Sequence, residues 1–139
     1  MDLIGRRFLP KRWMKKRNER FELHSSGYDH IMNVPYIHGC FMLFRNETLR
    51  QAGLFDERFF MYPEDIDITR RLHAVSETLL YPFVSIYHVH GAASHKFGKM
   101  LRIHIINMIR YFNKWGWWVD SERKAVNRLI KKDIEKKTN

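Results

Sequence analysis

Nine residues, YIHGCFMLF at 36–44, constrain the fold of this chain most. The run is too continuously apolar for a strand with one wet face. It reads as a buried strand, with Gly39 marking a close backbone approach. Such a strand needs neighbours at its edges, and the chain offers few. TLLYP and VSIYHVH read as two short strands split by Pro82. The remaining elements are helical. Asn46 is a good N-cap for a short helix, ETLRQA, that stops at Gly53. Pro63 opens a second helix over about 64–75, with Ile68, Leu72 and Val75 on one face. A long amphipathic helix follows over about 96–113. Its stripe of Leu101, Ile105, Met108, Ile109 and Phe112 is expected to pack on the sheet. WGWW at 115–118 breaks it, and Asp120 or Ser121 caps a last, lysine-rich helix.

The order is strand, helix, strand, strand, helix, helix, a thin mixed α/β pattern. Residues 1–35 form a basic, irregular arm that offers no partner strand. Residues 36–118 are the central portion, and 119–139 a basic C-terminal helix and tail. The chain reads as one portion of a larger domain.

Composition narrows the chemistry. With 139 residues, 45% hydrophobic and 14% aromatic, the chain can build a core and is not disordered over most of its length. A single cysteine, Cys40, excludes an internal disulfide and a cysteine-rich zinc site, and fits a reducing, cytoplasmic setting. No apolar stretch approaches the roughly 18 residues that span a bilayer. The net charge of +10 predicts an anionic partner: nucleic acid, acidic headgroups or a phosphorylated substrate.

Against that positive background, five of the 15 acidic residues lie between Asp56 and Asp67. Glu64, Asp65 and Asp67 fall at a predicted helix start, where unpaired N–H groups and the helix dipole favour negative charge. Helix design alone accounts for that placement. The preceding FFMYP is apolar and aromatic, however, so the site is walled, and a walled carboxylate makes a useful general base. Arg70 and Arg71 lie at spacings that permit salt bridges to Asp67. They could hold the carboxylates ionised or face a phosphate. A second constellation is His88-Val89-His90, then Ser94 and Lys96. On a strand the two histidines share a face and could bind a metal, although a pair of ordinary strand histidines is the simpler reading. Ser94 and Lys96 can donate to phosphate oxygens.

Together, HGCFMLFRNETLRQAGLFDERFFMYPEDIDITRRL and VSIYHVHGAAS resemble the C-terminal half of bacterial family 2 glycosyltransferases, within them the rhamnosyltransferase-like enzymes of surface-polysaccharide synthesis. The likeness runs from about Tyr36 to Trp117. It implies a partial GT-A-type sandwich, a small mixed sheet with flanking helices, lacking the N-terminal nucleotide-binding half and its Asp-x-Asp motif. It implies an inverting transfer from a nucleotide-sugar donor to a polysaccharide or lipid-linked acceptor, rhamnose being the subgroup's sugar. Asp65 then maps to the catalytic base. Glu64 shapes the acceptor site or tunes Asp65, and Asp67 orients the helix and pairs with Arg70 or Arg71. His88, with His90 as runner-up, maps to a divalent metal site (Mg or Mn) on the donor diphosphate. Ser94 and Lys96 map near that diphosphate, and Gly39 and Cys40 beneath the acceptor. A lone C-terminal half is expected to be inactive, to self-associate through an open sheet edge, a homodimer being one such form, and to work in the cytoplasm or peripherally at the inner face of the membrane. Two other classes compete. A nucleic-acid-binding module would use the basic arm and last helix but leaves the acidic cluster unexplained, so no nucleic acid is expected. A membrane-surface docking module would use helix 96–113 and WGWW.

Overall fold

The computed structural model describes residues 23–89 and 98–138. After a single 3₁₀ turn at His24–Ser26, the elements are β1 (Met32–Asn33), α1 (Asn46–Ala52), α2 (Glu64–His73), β2 (Leu79–Leu80), α3 (Lys99–Trp115) and α4 (Ser121–Thr138). The helix punctuation follows the sequence closely. At the end of α1, Gly53 takes φ 88°, and Leu54 N–H reaches back to the Leu49 carbonyl at 3.1 Å, satisfying a carbonyl the helix leaves open. Asp120 caps α4, its Oδ1 accepting from Arg123 N–H at 3.0 Å. Asn46 is the first residue of α1 rather than its cap, since Arg45 occupies that position without a side-chain bond.

The sheet differs from expectation. Its two strands are antiparallel, Met32 opposite Leu80 and Asn33 opposite Leu79. Val34 N–H extends the pairing to the Thr78 carbonyl at 2.8 Å. TLLYP therefore does contribute a strand, and its partner comes from the end of the basic arm, which was expected to offer none. Residues 36–44 and 84–89 form no strand; His90 lies outside the described residues. Leu43 is 91% exposed and Val89 94%. The physical reason is the ladder. A strand's N–H and C=O groups need ladder partners, and among the described residues no strand pairs with either run to supply them.

The core sits where this ribbon meets α4. Met32, Val34, Ile130 and Ile134 are buried together, with Leu23, Ile37, Leu80 and Val126 packed around them. Each fully buried aliphatic side chain contributes about 1.5–3 kcal/mol. On α2, Ile68 and Leu72 are buried. The stripe expected on α3 does not face a core. Asn107 and Tyr111 are the buried positions of that helix, whereas Ile105 and Ile109 are about half exposed. The helix is turned by its polar contacts with the segment before α2, which a count of apolar positions does not register.

Charge also sets how stability depends on pH. Burial pushes His73 below its ordinary value of 6.5, and its Nε2 lies 3.0 Å from the Val34 carbonyl, so folding favours the neutral ring. Asp56, held by Arg58 against some burial, and Asp120, held by Arg70 against burial, both sit below the ordinary 3.8. In all three cases the unfolded chain binds more protons, so their stabilisation is present at high pH and lost as pH falls. Glu64, raised from 4.5 by burial, has the opposite sign: its contribution is present below 4.5 and lost as pH rises through its folded value. The melting temperature should decline first just below pH 6.5 and again below pH 3.8. A His73→Gln variant should lose the upper step in a thermal melt series; an unchanged upper step would show that His73 does not cause it.

Candidate active site

The segment leading into α2 is held from behind by α3. Asn107 Nδ2 donates to the Met61 carbonyl at 2.8 Å, and Arg110 Nη1 to the Arg58 carbonyl at 2.9 Å. Tyr62 stacks on His104 with ring centroids 4.6 Å apart. Phe59 is buried. Tyr62 adopts φ 55°, a left-handed conformation that costs a non-glycine residue free energy and persists only where surrounding contacts enforce it. Pro63 then enters the helix, with Asp67 N–H bonded to its carbonyl at 2.9 Å.

The three acids of the first turn have different environments. Asp67 is fully buried. Its Oδ1 accepts from Trp115 Nε1 at 2.7 Å and pairs with Lys114 Nζ at 2.7 Å, while its Oδ2 accepts from Arg71 Nε at 2.9 Å. Three donors on a buried carboxylate make it an anchor that ties α2 to α3. Glu64 is half-buried, and burial raises its carboxyl. Its Oε2 is buried without a hydrogen-bond partner among the described residues. Asp65 lies between these extremes, its side chain 19% exposed. Its Oδ1 accepts from Ile66 N–H at 2.8 Å and its Oδ2 from Gly39 N–H at 3.0 Å. A carboxylate has about four lone-pair sites, so these two backbone donors leave room for a further donor.

Gly39 suits this arrangement because it leaves the approach to Asp65 open. A Cβ there would lie 3.3 Å from the Asp65 Cβ and 3.5 Å from its Oδ2, so a side chain would press on the carboxylate it now binds. The close approach expected at Gly39 is therefore real, although it brings a loop against a helix start instead of seating a strand in a sheet. Cys40 beside it is exposed.

Other residues singled out from the sequence fall elsewhere. Arg70 turns inward: it is 7% exposed and bonds Asp120 at 2.8 and 2.9 Å, Tyr111 at 3.1 Å and Glu122 at 3.2 Å, with its guanidinium 4.0 Å over the Trp115 ring. Arg71 bonds Asp67 and the Ala52 carbonyl. Of the two arginines, Arg71 is thus the one that pairs with Asp67, and both are committed to structural contacts. The groove between Arg70, His73, Glu122 and Pro35 has room for about one water, roughly 20 Å³. His88 is exposed, and no hydrogen bond or ion pair joins it to Asp65 among the described residues. His90, Ser94 and Lys96 lie outside those residues. The described residues gather no group of three or more metal-ligating side chains, so they do not by themselves fit a metal site.

Sequence reasoning missed His38. Its Nδ1 is 4.0 Å from Asp65 Oδ2, and its Nε2 is 2.6 Å from the Tyr36 hydroxyl. The YIHG spelling contains both residues, yet nothing local shows that His38 approaches an acid 27 positions later. Of the two residues that hold Asp67 from α3, Trp115 entered the sequence reading only within WGWW, as a helix breaker or a membrane-docking element, and Lys114 did not enter it.

Over 80 residues, 56% of the chain, the sequence is 35% identical to Rhamnosyltransferase WbbL of Escherichia coli (strain K12), covering 30% of that protein. Over 92 residues, 61% of the chain, it is 33% identical to N-acetylglucosaminyl-diphospho-decaprenol L-rhamnosyltransferase of Mycobacterium tuberculosis, covering 29% of it. The chain thus spans about 30% of the length of the curated relatives it matches. No family model and no solved structure matches.

Proposed function

We propose, on the premise that this chain is related to rhamnosyltransferase-type glycosyltransferases, that it carries the acceptor-side wall and catalytic base of an inverting sugar transfer. The donor is a nucleotide-sugar, with rhamnose the sugar the relatives' names indicate. The acceptor is a saccharide or lipid-linked hydroxyl. The observation that supports this reading most is Asp65, a partly exposed carboxylate fixed by two backbone N–H groups with acceptor capacity still open. An acceptor hydroxyl donates to that free capacity. As its oxygen forms the new bond to the anomeric carbon, its proton passes to Asp65, and the nucleoside diphosphate leaves with the electron pair of the old bond. The fixed carboxylate needs little reorientation during that step.

The chain spans about 30% of the length of these relatives, so the proposal concerns the step that Asp65 would carry within a whole enzyme. The test is therefore a hybrid. The 80-residue stretch matched in the E. coli relative is replaced by the corresponding stretch of this chain, and transfer from the nucleotide-sugar is measured with product stereochemistry by NMR. Transfer with inversion is the expected result. A folded, donor-binding hybrid that transfers nothing, or that retains configuration, would contradict the proposal.

A second reading concerns where the reaction takes place. No helix among the described residues is long and apolar enough to cross a membrane. Yet α3 presents Ile105, Ile106 and Ile109 at 51, 39 and 44% exposure, at helical spacing with the exposed Arg102. Trp117 folds back onto the end of α3, stacked on Phe112 and bonded to Asn113, and Trp118 is 90% exposed. Aliphatic and indole side chains flanked by arginine suit an anionic bilayer surface. The chain should co-sediment with vesicles containing phosphatidylglycerol and far less with phosphatidylcholine alone. A double change, Ile106→Glu with Ile109→Glu, should weaken that binding about tenfold or more, given the cost of burying charge. Equal sedimentation with both vesicle types would rule this surface out.

A further inference from the structure

The loop that supplies Gly39 also brings two side chains to the acid. We propose that His38, braced by Tyr36, is a positioning residue for Asp65, its Nδ1–H directed at the carboxylate in a Tyr36–His38–Asp65 relay of fixed polarity. This rests on the reading of Asp65 as the proton acceptor. The Tyr36 hydroxyl is 2.6 Å from His38 Nε2, and the two rings meet edge to face with centroids 5.0 Å apart. A hydroxyl that donates to Nε2 keeps a lone pair on that nitrogen, which places the neutral ring's proton on Nδ1. Nδ1 is the atom that faces Asp65, 4.0 Å from Oδ2, beside the Gly39 N–H that already binds the same oxygen.

That separation is longer than a direct hydrogen bond. Catalytic hydrogen bonds are often long before substrate binds, and the His38 side chain is 73% exposed, free to close on Asp65 as a saccharide docks. The consequence for chemistry is directional. Gly39 N–H holds Oδ2, the oxygen on which His38 would close, and Ile66 N–H holds one side of Oδ1, so the capacity left for the acceptor's O–H is on Oδ1. His38 gains and loses no proton in the step. It donates to the carboxylate before and during transfer, while the acceptor's proton goes to Asp65. Because the imidazole is exposed beside the base, it also borders the position of the acceptor hydroxyl.

The test reads the tautomer directly on the 139-residue chain. Long-range proton–nitrogen correlation at about pH 8.5, where a free imidazole is neutral, separates protonated from unprotonated ring nitrogens. The His38 signals are assigned by their loss in His38→Gln. The expected result is protonated Nδ1 and unprotonated Nε2 in the wild type, with the preference reversing in Tyr36→Phe and weakening in Asp65→Asn. A wild-type ring protonated on Nε2, or a tautomer that neither substitution moves, overturns the proposal. The readout is independent of catalysis. If the tautomer is as expected but Asp65→Asn leaves sugar transfer intact, the reading of Asp65 as base fails; if transfer collapses while the ring is protonated on Nε2, the His38 proposal fails alone.

Discussion

Replacing Arg70 by Met should destabilise the chain by about 3–5 kcal/mol, because it strips a buried carboxylate of its bidentate cation and leaves it only the more distant, half-exposed Arg123 at 3.6 Å. Arg70 and Asp120 are 8% and 9% exposed at their side chains, and the guanidinium meets both carboxylate oxygens. Burial lowers the tendency of Arg70 to stay charged, but its bonds to Tyr111 and Asp120 outweigh that and raise its pKa above the ordinary value. Methionine keeps much of the volume and the packing over Trp115, so the loss is mostly electrostatic. Against a typical total of about 5–15 kcal/mol, the change removes a large share of stability. A fall of more than about 10 °C in melting temperature is expected. Asp120 also caps α4, so the same substitution loosens the helix that carries Ile130 and Ile134 into the core.

The pair makes this quantitative. Asp120→Asn keeps a capping oxygen but removes the charge. Once Arg70 is gone, the further loss of the Asp120 charge should cost little, and Arg70→Met with Asp120→Asn should be no less stable than Arg70→Met alone. Equilibrium denaturation of the two single variants and the double variant measures this coupling. Strict additivity, within about 0.5 kcal/mol, would show that the two groups do not depend on each other.

Local chemistry was legible in the sequence, and long-range assembly was not. The three acids at the start of α2, the glycine that stops α1, the aspartate that caps α4 and the close approach at Gly39 were all readable, because each depends on residues within a turn or on one backbone property. The strands at 36–44 and 84–89 were not correctly readable. An apolar run says that it prefers burial, but only a neighbouring strand makes it a strand. The reverse error occurred at Met32–Asn33, two residues at the end of a basic segment that pair with Leu79–Leu80. A strand that short carries no pattern of its own. The orientation of α3 was missed because Asn107, Arg110 and Lys114, which bond to Met61, Arg58 and Asp56, outweigh the apolar stripe from Leu101 to Phe112 in deciding which face turns inward. Arg70 and Arg71 were recognised as partners for carboxylates. Their spacing allowed Asp67 to both, and only the fold assigns Arg70 to Asp120, 50 positions away.

The two acids that open α2 have divergent environments, which fit the different roles proposed for them. Glu64 is raised by burial and has one oxygen without a partner among the described residues, a state suited to shaping a pocket. Asp65 is held in one orientation by Gly39 and Ile66 and keeps a partly open face. General-base catalysis by a positioned side chain is worth about 10²–10⁴ in rate. Removing the base without changing its size should therefore lower turnover by that factor and leave acceptor affinity nearly unchanged, while Glu64→Gln should act mainly on acceptor affinity. The most direct measurement is the turnover of Asp65→Asn in the E. coli hybrid, with circular dichroism confirming an intact fold. A loss of at least about 100-fold at unchanged acceptor KM is the result expected of a proton acceptor. Transfer within about threefold of the unsubstituted hybrid, a difference under about 1 kcal/mol, would show that the proton goes to another group.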